Sequence, residues 1–433
     1  MNASNLLVAT LCSAALSAQA NLYVDASTPV GANDGLSWAT AFRTIDDALT
    51  ASAPGDEIWV ASGTYTPRAR LDPADPRSAR YVVLRNVRLI GGFSGNETSI
   101  SQWPALPCTL SAEIGNATSN SDNLHHLVIA ENDALGSSMR GFTFARANSI
   151  GAPTPNGGAV LAFNNSILQL RDCTFVSNVA QNGGAVYINQ VGGVALIRCA
   201  FLRNLATEDG GAVAAVGGGA ELTIANCEFL GNGAGKRGGA LIYFRTRPDF
   251  GGAFPSIVNS VFGKNSARGK GGAVFVRKGI QLQPNVTVPG SGAYFFQCTF
   301  HGNLSMVEGG AIYADANAPV PANCEVYNSI LWGNRAPVGA QYGGGALASF
   351  CNIQGGYAGA GNINADPRFL APNAGDYRLQ QGSPSVDTAS LANLTFDYWD
   401  LDNDGIYGEV LPVDLDGNAR LQGLGLDMGA YER

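Results

Sequence analysis

The sequence predicts an all-β protein, a single-stranded right-handed parallel β-helix with an N-terminal helical cap. Three observations carry this expectation. Gly-Gly-Ala followed by Val, Leu or Ile begins at Gly157, Gly183, Gly210, Gly238, Gly271, Gly309 and Gly344. Six of those copies are followed by an apolar residue with Asn three positions on: Phe175/Asn178, Phe201/Asn204, Phe229/Asn232, Phe262/Asn265, Phe300/Asn303 and Leu331/Asn334. The segments between show short period-2 alternation and no helical period, which with the glycine pairs argues against an α-solenoid.

One unit, Glu221 to Asn232, shows how a coil is built. Leu222 and Ile224 alternate with polar residues, as in a strand with one buried face. Cys227 and Phe229 alternate in the opposite phase, so the chain must bend at Ala225-Asn226. Asp172, Asn259, Gln297 and Asn328 occupy comparable positions, and their side chains can hydrogen-bond turn backbone. Asn232 closes the second strand, and Gly-Gly-Ala begins a third. Stacked coils about 4.8 Å apart would bring each position onto its own repeat, giving interior ladders.

The cysteines fit that interior. Cys173, Cys199, Cys227 and Cys298 stand two residues before the repeat Phe, and Ser260 and Ser329 replace them elsewhere. A stack of small, weakly polar side chains is expected there, in preference to a redox or metal set. Cys324 and Cys351, about one repeat apart, are the candidate disulfide partners.

Spacing separates fixed from variable corners. From repeat Phe to the next Gly-Gly-Ala the distance is 8 or 9 residues, whereas from Gly-Gly-Ala to Phe it grows through 18, 18, 19, 24 and 29. The growth falls at 242–255 and 277–292, which predicts a wall of insertions on one face, the usual place for binding in repeat proteins.

Composition bounds the rest. Gly numbers 56 of 433 residues, charged residues are 14%, apolar residues 45% and net charge is −8. Such a chain is neither disordered nor a general binder of nucleic acid or anionic membrane. Residues 1–20 read as an export signal, with apolar Leu6 to Ala18 and a small-x-small site at Ala18-Gln19-Ala20. No later run is long enough for a membrane helix, so a protein secreted or displayed at the cell surface is expected, and a monomer is expected as well.

Residues 21–55 read as the cap, with Phe42, Ile45 and Leu49 at helical spacing, residues 56–382 as the rod and 383–433 as a separate C-terminal segment. Tyr23-Val-Asp, Ser37-Trp-Ala-Thr-Ala-Phe42 and Gly63-Thr-Tyr65 resemble the opening of bacterial secreted β-helix proteins. The Gly-Gly-Ala and Phe-x-x-Asn pair resembles the repeat of chlamydial polymorphic outer-membrane proteins, which are surface adhesins. Ser383-Pro-Ser-Val-Asp387, Asp414-Leu-Asp-Gly-Asn-Ala-Arg420 and Asp427-Met-Gly-Ala-Tyr-Glu432 resemble the choice-of-anchor Q domain. These resemblances imply a secreted solenoid of the pectate-lyase-like type and leave activity open, since that fold serves lyases, hydrolases, epimerases and adhesins alike.

Catalysis on acidic polysaccharide needs paired acids, one to give and one to take a proton. In the repeats, Asp172, Asp209, Glu228, Asp249, Glu308 and Glu325 are scattered singly, and His125, His126 and His301 show no metal-ligand spacing and read as surface or turn residues. Nine basic residues lie between Lys236 and Lys278 with Asp249 the only acid, beside the insertions. Two readings stand: Arg245, Arg247, Asp249, Arg277 and Lys278 hold an anionic glycan, or they are solvated loop charges. Asp400, Asp402 and Asp404 alternate before Gly405 as in the first half of a calcium loop, but Leu411 stands where the bidentate Glu belongs. That turn is either a structural Ca²⁺ site, with Asp414 and Asp416 near enough to complete it, or an exposed acidic turn; no other cofactor is indicated. The favoured function is adhesion or recognition of a polysaccharide or cell-surface glycan without evident catalysis. The alternative is a polysaccharide lyase or glycoside hydrolase acting on an acidic polysaccharide.

Overall fold

The computed structural model describes residues 21–83, 86–189, 193–217, 221–245, 255–277, 281–283, 286–287, 292–315 and 323–433. Within them the chain winds in coils whose strands stack in parallel into four ribbons. The first ribbon has eleven strands, from Asn21–Val24 to Ala346–Ser349, and the second ten, from Gly63–Tyr65 to Asn352–Ile353. The third has nine, from Tyr81–Val83 to Tyr342–Gly344. The fourth has five two-residue strands, from Val179–Ala180 to Leu304–Ser305. One coil runs Glu221–Ala225, Glu228–Leu230, Gly233–Ala234, Leu241–Arg245. It therefore holds four strands where alternation predicted three, because a two-residue strand is too short to show a period.

Each letter of the repeat has a framework task. The Phe144, Phe175, Phe201, Phe229, Phe262 and Phe300 rings stack 4.6–4.7 Å apart through the interior. Asn178, Asn204, Asn232, Asn265 and Asn303 form a buried ladder, each donating Nδ2 to the Oδ1 of the following coil's Asn. Each Nδ2 also donates to a Phe carbonyl of the preceding coil. In Gly-Gly-Ala the first glycine is left-handed, with φ +60° to +72° in six copies. The second lies so close to the next coil that a Cβ on Gly211 would stand 2.0 Å from the Gly239 carbonyl oxygen.

The seventh copy departs from the expectation. Ala311 donates its backbone N–H to the Ala340 carbonyl, and Gly310 donates to that of Gly339. The structural equivalent is thus Gly339-Ala340, with Gly339 left-handed at φ +57°. Gly344 instead ends a third-ribbon strand, and Ala346 opens a first-ribbon one.

The interior cysteine stack is as expected, with every described cysteine buried and free. Cys324 and Cys351 do not pair. The final coil is shorter than a full repeat, so the register partner of Cys324 is Ala346. His125 and His126 are also buried, against the expectation of surface sites. His125 reaches Asp75 at 3.2 Å and the Asn148 carbonyl at 3.3 Å, and His126 reaches the Gly157 carbonyl at 2.8 Å. At the N-terminus α1 (Ile45–Ala51) begins at Thr44, whose Oγ1 accepts from the Asp47 N–H, and seats Ile45 and Ala48 on the first coil. Asn21–Val24 already pairs with Glu57–Ala61, so the first ribbon reaches back into the segment read as the cap.

After Asn352–Ile353 the chain turns back along the outside of the rod. Phe369, Tyr377, Met428 and Ala430 pack on Val261 and Ile330 of the second ribbon. Leu401, Leu411 and Val413 pack on Ala195, Ile197, Ala225 and Val258 of the first. The chain after Ile353, which includes the last part of the stretch read as rod, is therefore a strap that straddles the bend between the two ribbons.

Candidate functional site

The strap is fastened to the bend residues of successive coils. Asp172, Arg198, Asn226, Asn259, Gln297 and Asn328 all lie at φ between +46° and +54°, between a first-ribbon and a second-ribbon strand. That conformation turns their side chains out of the rod interior, where all but Asp172 bond strap backbone. Asn328 Nδ2 donates to the Ser390 carbonyl, Gln297 Nε2 to Asn393, Asn259 Nδ2 to Val413 and Asn226 Nδ2 to Asp414. Arg198 donates to the Leu401 carbonyl at 2.9 Å, and Arg171, on the adjoining strand, to the Trp399 carbonyl at 2.6 Å. Both guanidinium groups also reach Asn403 Oδ1. Beneath them Asp172 accepts from Arg140 and Arg198. Burial alone would raise the Asp172 carboxyl, but those two guanidinium groups hold it below the usual range. Burial, then the charge of Arg198, pushes the Arg171 guanidinium down to about 10.

Between the strap residues 398–407 and the first ribbon lies a cleft of about 390 Å³. Its floor is the outward face of the first ribbon, including Glu57, Arg88, Ser138, Arg140, Gln169 and Arg171, and its wall is strap residues Tyr398, Trp399, Asp400, Asn403 and Tyr407. The Glu57 carboxylate accepts from Trp59 Nε1 at 2.5 Å and pairs with Arg88 at 2.6 Å. Arg140 lies 4.3 Å over the Trp103 ring. Tyr407 is exposed. The cleft thus offers guanidinium forks, amide and hydroxyl donors, and aromatic faces with polar tips. Glu57 is engaged by Arg88 and Trp59, and Asp400 accepts from the Gly405 N–H. Chemically the arrangement can hold a polyhydroxylated, partly anionic chain.

Of the residues singled out from sequence, Asp400 lines the cleft and Arg277 does not. Arg247, Asp249 and Lys278 lie outside the described residues, as does most of the expected wall of insertions and the export signal. Arg245 ends the strand Leu241–Arg245, and its side chain is likewise outside the description. Arg277 lies 4.1 Å over the Phe244 ring; burial, then the charge of Arg237, lowers its guanidinium pKa. The basic bias of this stretch is partly offset from neighbouring coils, because Lys236 pairs with Glu208, Arg237 with Asp209 at 2.6 Å and Lys270 with Glu308 at 3.0 Å. Those acids lie about one coil away in sequence, so a local charge count does not see them.

Asp400, Asp402 and Asp404 do converge, with one oxygen from each within 4.8 Å of the others. Asp402 also meets Asp397 and Glu409 within the same limit. Burial, with the Asp402 and Asp400 charges behind it, raises the Asp397 carboxyl. Asp414 is turned away into the interior of the strap, where it accepts from the Asn418 and Glu432 N–H groups.

Sequence reasoning missed the cleft because its parts come from Glu57, Arg88, Gln169 and Tyr407, which no motif joins. The bend signal was visible, and what those bends grip was not. Among the described residues no helix is long and apolar enough to cross a membrane.

Comparison with solved structures returns a pectate lyase, Pel9A, at 12% identity and TM-score 0.43, covering 98% of this chain and 99% of that one. It also returns a rhamnogalacturonan lyase at 11% identity and TM-score 0.42, covering 81% and 90%. A third, the complex of XylC with xylose, is 8% identical with TM-score 0.33, covering 95% and 99%. No curated protein matches the chain. The model of a family described as a right-handed beta helix region matches residues 136–353, half of the chain and the same coils that carry the Phe and Asn ladders. The protein belongs to the right-handed β-helix region family.

Proposed function

We propose that this chain is an exported β-helical recognition protein that holds a glycan in the cleft between the first ribbon and the strap, without a catalytic step. The observation that carries the reading is the make-up of the cleft. Arg88, Arg140 and Arg171 line it beside the aromatic groups of Tyr398, Trp399 and Tyr407, while Glu57 is tied to Arg88 and Trp59. A sugar chain presents hydroxyls and carboxylates at its edges and apolar C–H faces between them, which such a surface complements. The basic segment with Arg245, Arg247, Asp249, Arg277 and Lys278 would extend contact with an anionic glycan. The resemblances to surface-protein repeats and to the choice-of-anchor Q domain support display outside the cell, as does the apolar stretch within residues 1–20. Asp400, Asp402 and Asp404 would hold a structural Ca²⁺, which would offset the repulsion among their crowded carboxylates.

The test is a glycan array probed with the chain lacking residues 1–20, alongside reducing-sugar release and unsaturated-product absorbance over a polysaccharide panel. Binding that falls at least tenfold in Gln169→Ala plus Tyr407→Ala, without product, is expected. Product release would replace the reading with a carbohydrate-active enzyme, and binding unchanged in the double variant would move the site away from the cleft.

A further inference from the structure

The strap ends in a buried ionic cluster that the glycan reading leaves unused. Arg420 is fully buried, and its Nη2 donates to the Asp427 carbonyl at 3.2 Å and the Gly429 carbonyl at 2.7 Å. Its Nε lies 3.7 Å from a Glu432 carboxylate oxygen, beyond hydrogen-bond range, and neither Nε nor Nη1 has a hydrogen-bond partner. Around this one cation stand the carboxyl groups of Asp414, Asp427 and Glu432, all buried. Glu432 accepts from the Asp427 N–H at 3.2 Å. Asp427 Oδ1 accepts from the Asp387 N–H at 2.8 Å, while its Oδ2 is buried with no partner. The Asp387 carboxylate and the Cys298 thiol of the rod also face the cluster, and the Asp416 carboxyl lies beside Asp414. Gly429 and Ala430, between Asp427 and Glu432, tie this cluster to the rod, donating to the Asn328 carbonyl at 2.8 Å and Thr299 Oγ1 at 3.0 Å, as does the Asp414 carbonyl that accepts from Asn226.

Three buried carboxyl groups and one guanidinium carry surplus negative charge when all are ionised, and burial holds that charge away from bulk solvent. We propose that the cluster is a proton-held clasp, closed while a proton is shared over Asp427 and Glu432 and loosened by alkali, which frees the strap from the rod. Burial, the largest cause, pushes Asp427 up to about 6 and Glu432 up to about 8, with Arg420 opposing in both. Released carboxyls titrate near 4, so the closed strap binds more protons than the open one, and closure weakens from about pH 4 to about pH 8. Because the same strap walls the cleft, glycan affinity would follow the clasp, a corollary that rests on the proposed function.

Hydrogen exchange in the chain lacking residues 1–20 tests the clasp without any ligand. Protection of the Met428–Ala430 amides, corrected for intrinsic rate, should fall at least tenfold between pH 5 and pH 9, with the Phe201 and Phe229 amides of the rod unchanged. Glu432→Gln should flatten that fall, and Asp427→Asn should reduce it. Protection independent of pH in the parent, or an undiminished fall in both variants, would overturn the proposal. Should one variant fail to fold, judged by the rod amides, the other together with the parent decides. A clasp that opens in a protein binding no glycan at any pH would leave this inference standing and remove the glycan reading alone.

Discussion

The backbone N–H and the side-chain Nδ2 of Asn232 both donate to Oδ1 of Asn265, each at 2.9 Å. Asn232 in turn offers its own Oδ1 to the backbone and side chain of Asn204 and its Nδ2 to the Phe201 carbonyl. One fully buried side chain therefore satisfies groups in two neighbouring coils. Asn232→Ala strands several of them, each at about 1–3 kcal/mol. The urea midpoint should fall by the equivalent of about 3 kcal/mol or more, whereas Leu205→Ala, on the exposed side of the adjoining strand, should change little.

Gly211 tests the closest approach between coils. An added Cβ would meet the Gly239 carbonyl oxygen at 2.0 Å and the Gly233 carbonyl oxygen at 2.5 Å, both rigid backbone. Gly211→Ala should cost more than about 3 kcal/mol and lower the melting temperature sharply. Gly355→Ala, where nothing lies within 4 Å, should carry only the milder penalty of its left-handed φ.

His126 predicts acid sensitivity at the N-terminal end. Burial, its largest cause, pushes its pKa down to about 4, so the folded chain holds it neutral while an unfolded one protonates near 6.5. The unfolded state then binds more protons between those values, and stability falls as pH drops from about 6.5 to about 4, by up to about 3 kcal/mol. Thermal melts across that range should show the loss, and His126→Gln should shrink it.

Calcium should raise the melting temperature of the chain relative to chelator if Asp400, Asp402 and Asp404 hold the ion. Asp402→Asn is the sharpest variant, because Asp402 belongs to both carboxylate sets. It should abolish the calcium-dependent shift, leaving a melting temperature equal in calcium and chelator.

Thiol chemistry checks the interior stack. Cys108, Cys173, Cys199, Cys227, Cys298, Cys324 and Cys351 are buried and free. Burial pushes the thiols of Cys108, Cys298, Cys324 and Cys351 up to about 12, so they are poor nucleophiles as well as hidden ones. A thiol reagent should label none of them in the native protein and all of them after denaturation without reductant.

How much could be read before folding depended on whether a contact repeats. Asn232 meets Asn265, and Phe229 meets Phe262, because the coil brings each position onto its own next occurrence. Such contacts imprint a period on the sequence, so the solenoid, the cysteine stack, the bends at Asn226 and Asn259 and the fixed-length corner were all legible. A motif alone still misplaces a repeat when the spacing changes, as Gly344 did in the shortened final coil.

Repetition along the chain specifies the rod and its ladders, because each coil enforces its pattern on the next. What lies outside the rod is settled by contacts that form on folding. Arg171 bonds the Trp399 carbonyl across 228 positions, and Arg237 finds Asp209 in the coil before it. Contacts of the first kind occur once, so nothing periodic announces them. Those of the second offset part of a charge bias that looks unopposed along the chain. The cleft is made by both effects, where a strap returns once across a regular face, and its chemistry exists only after the two surfaces meet.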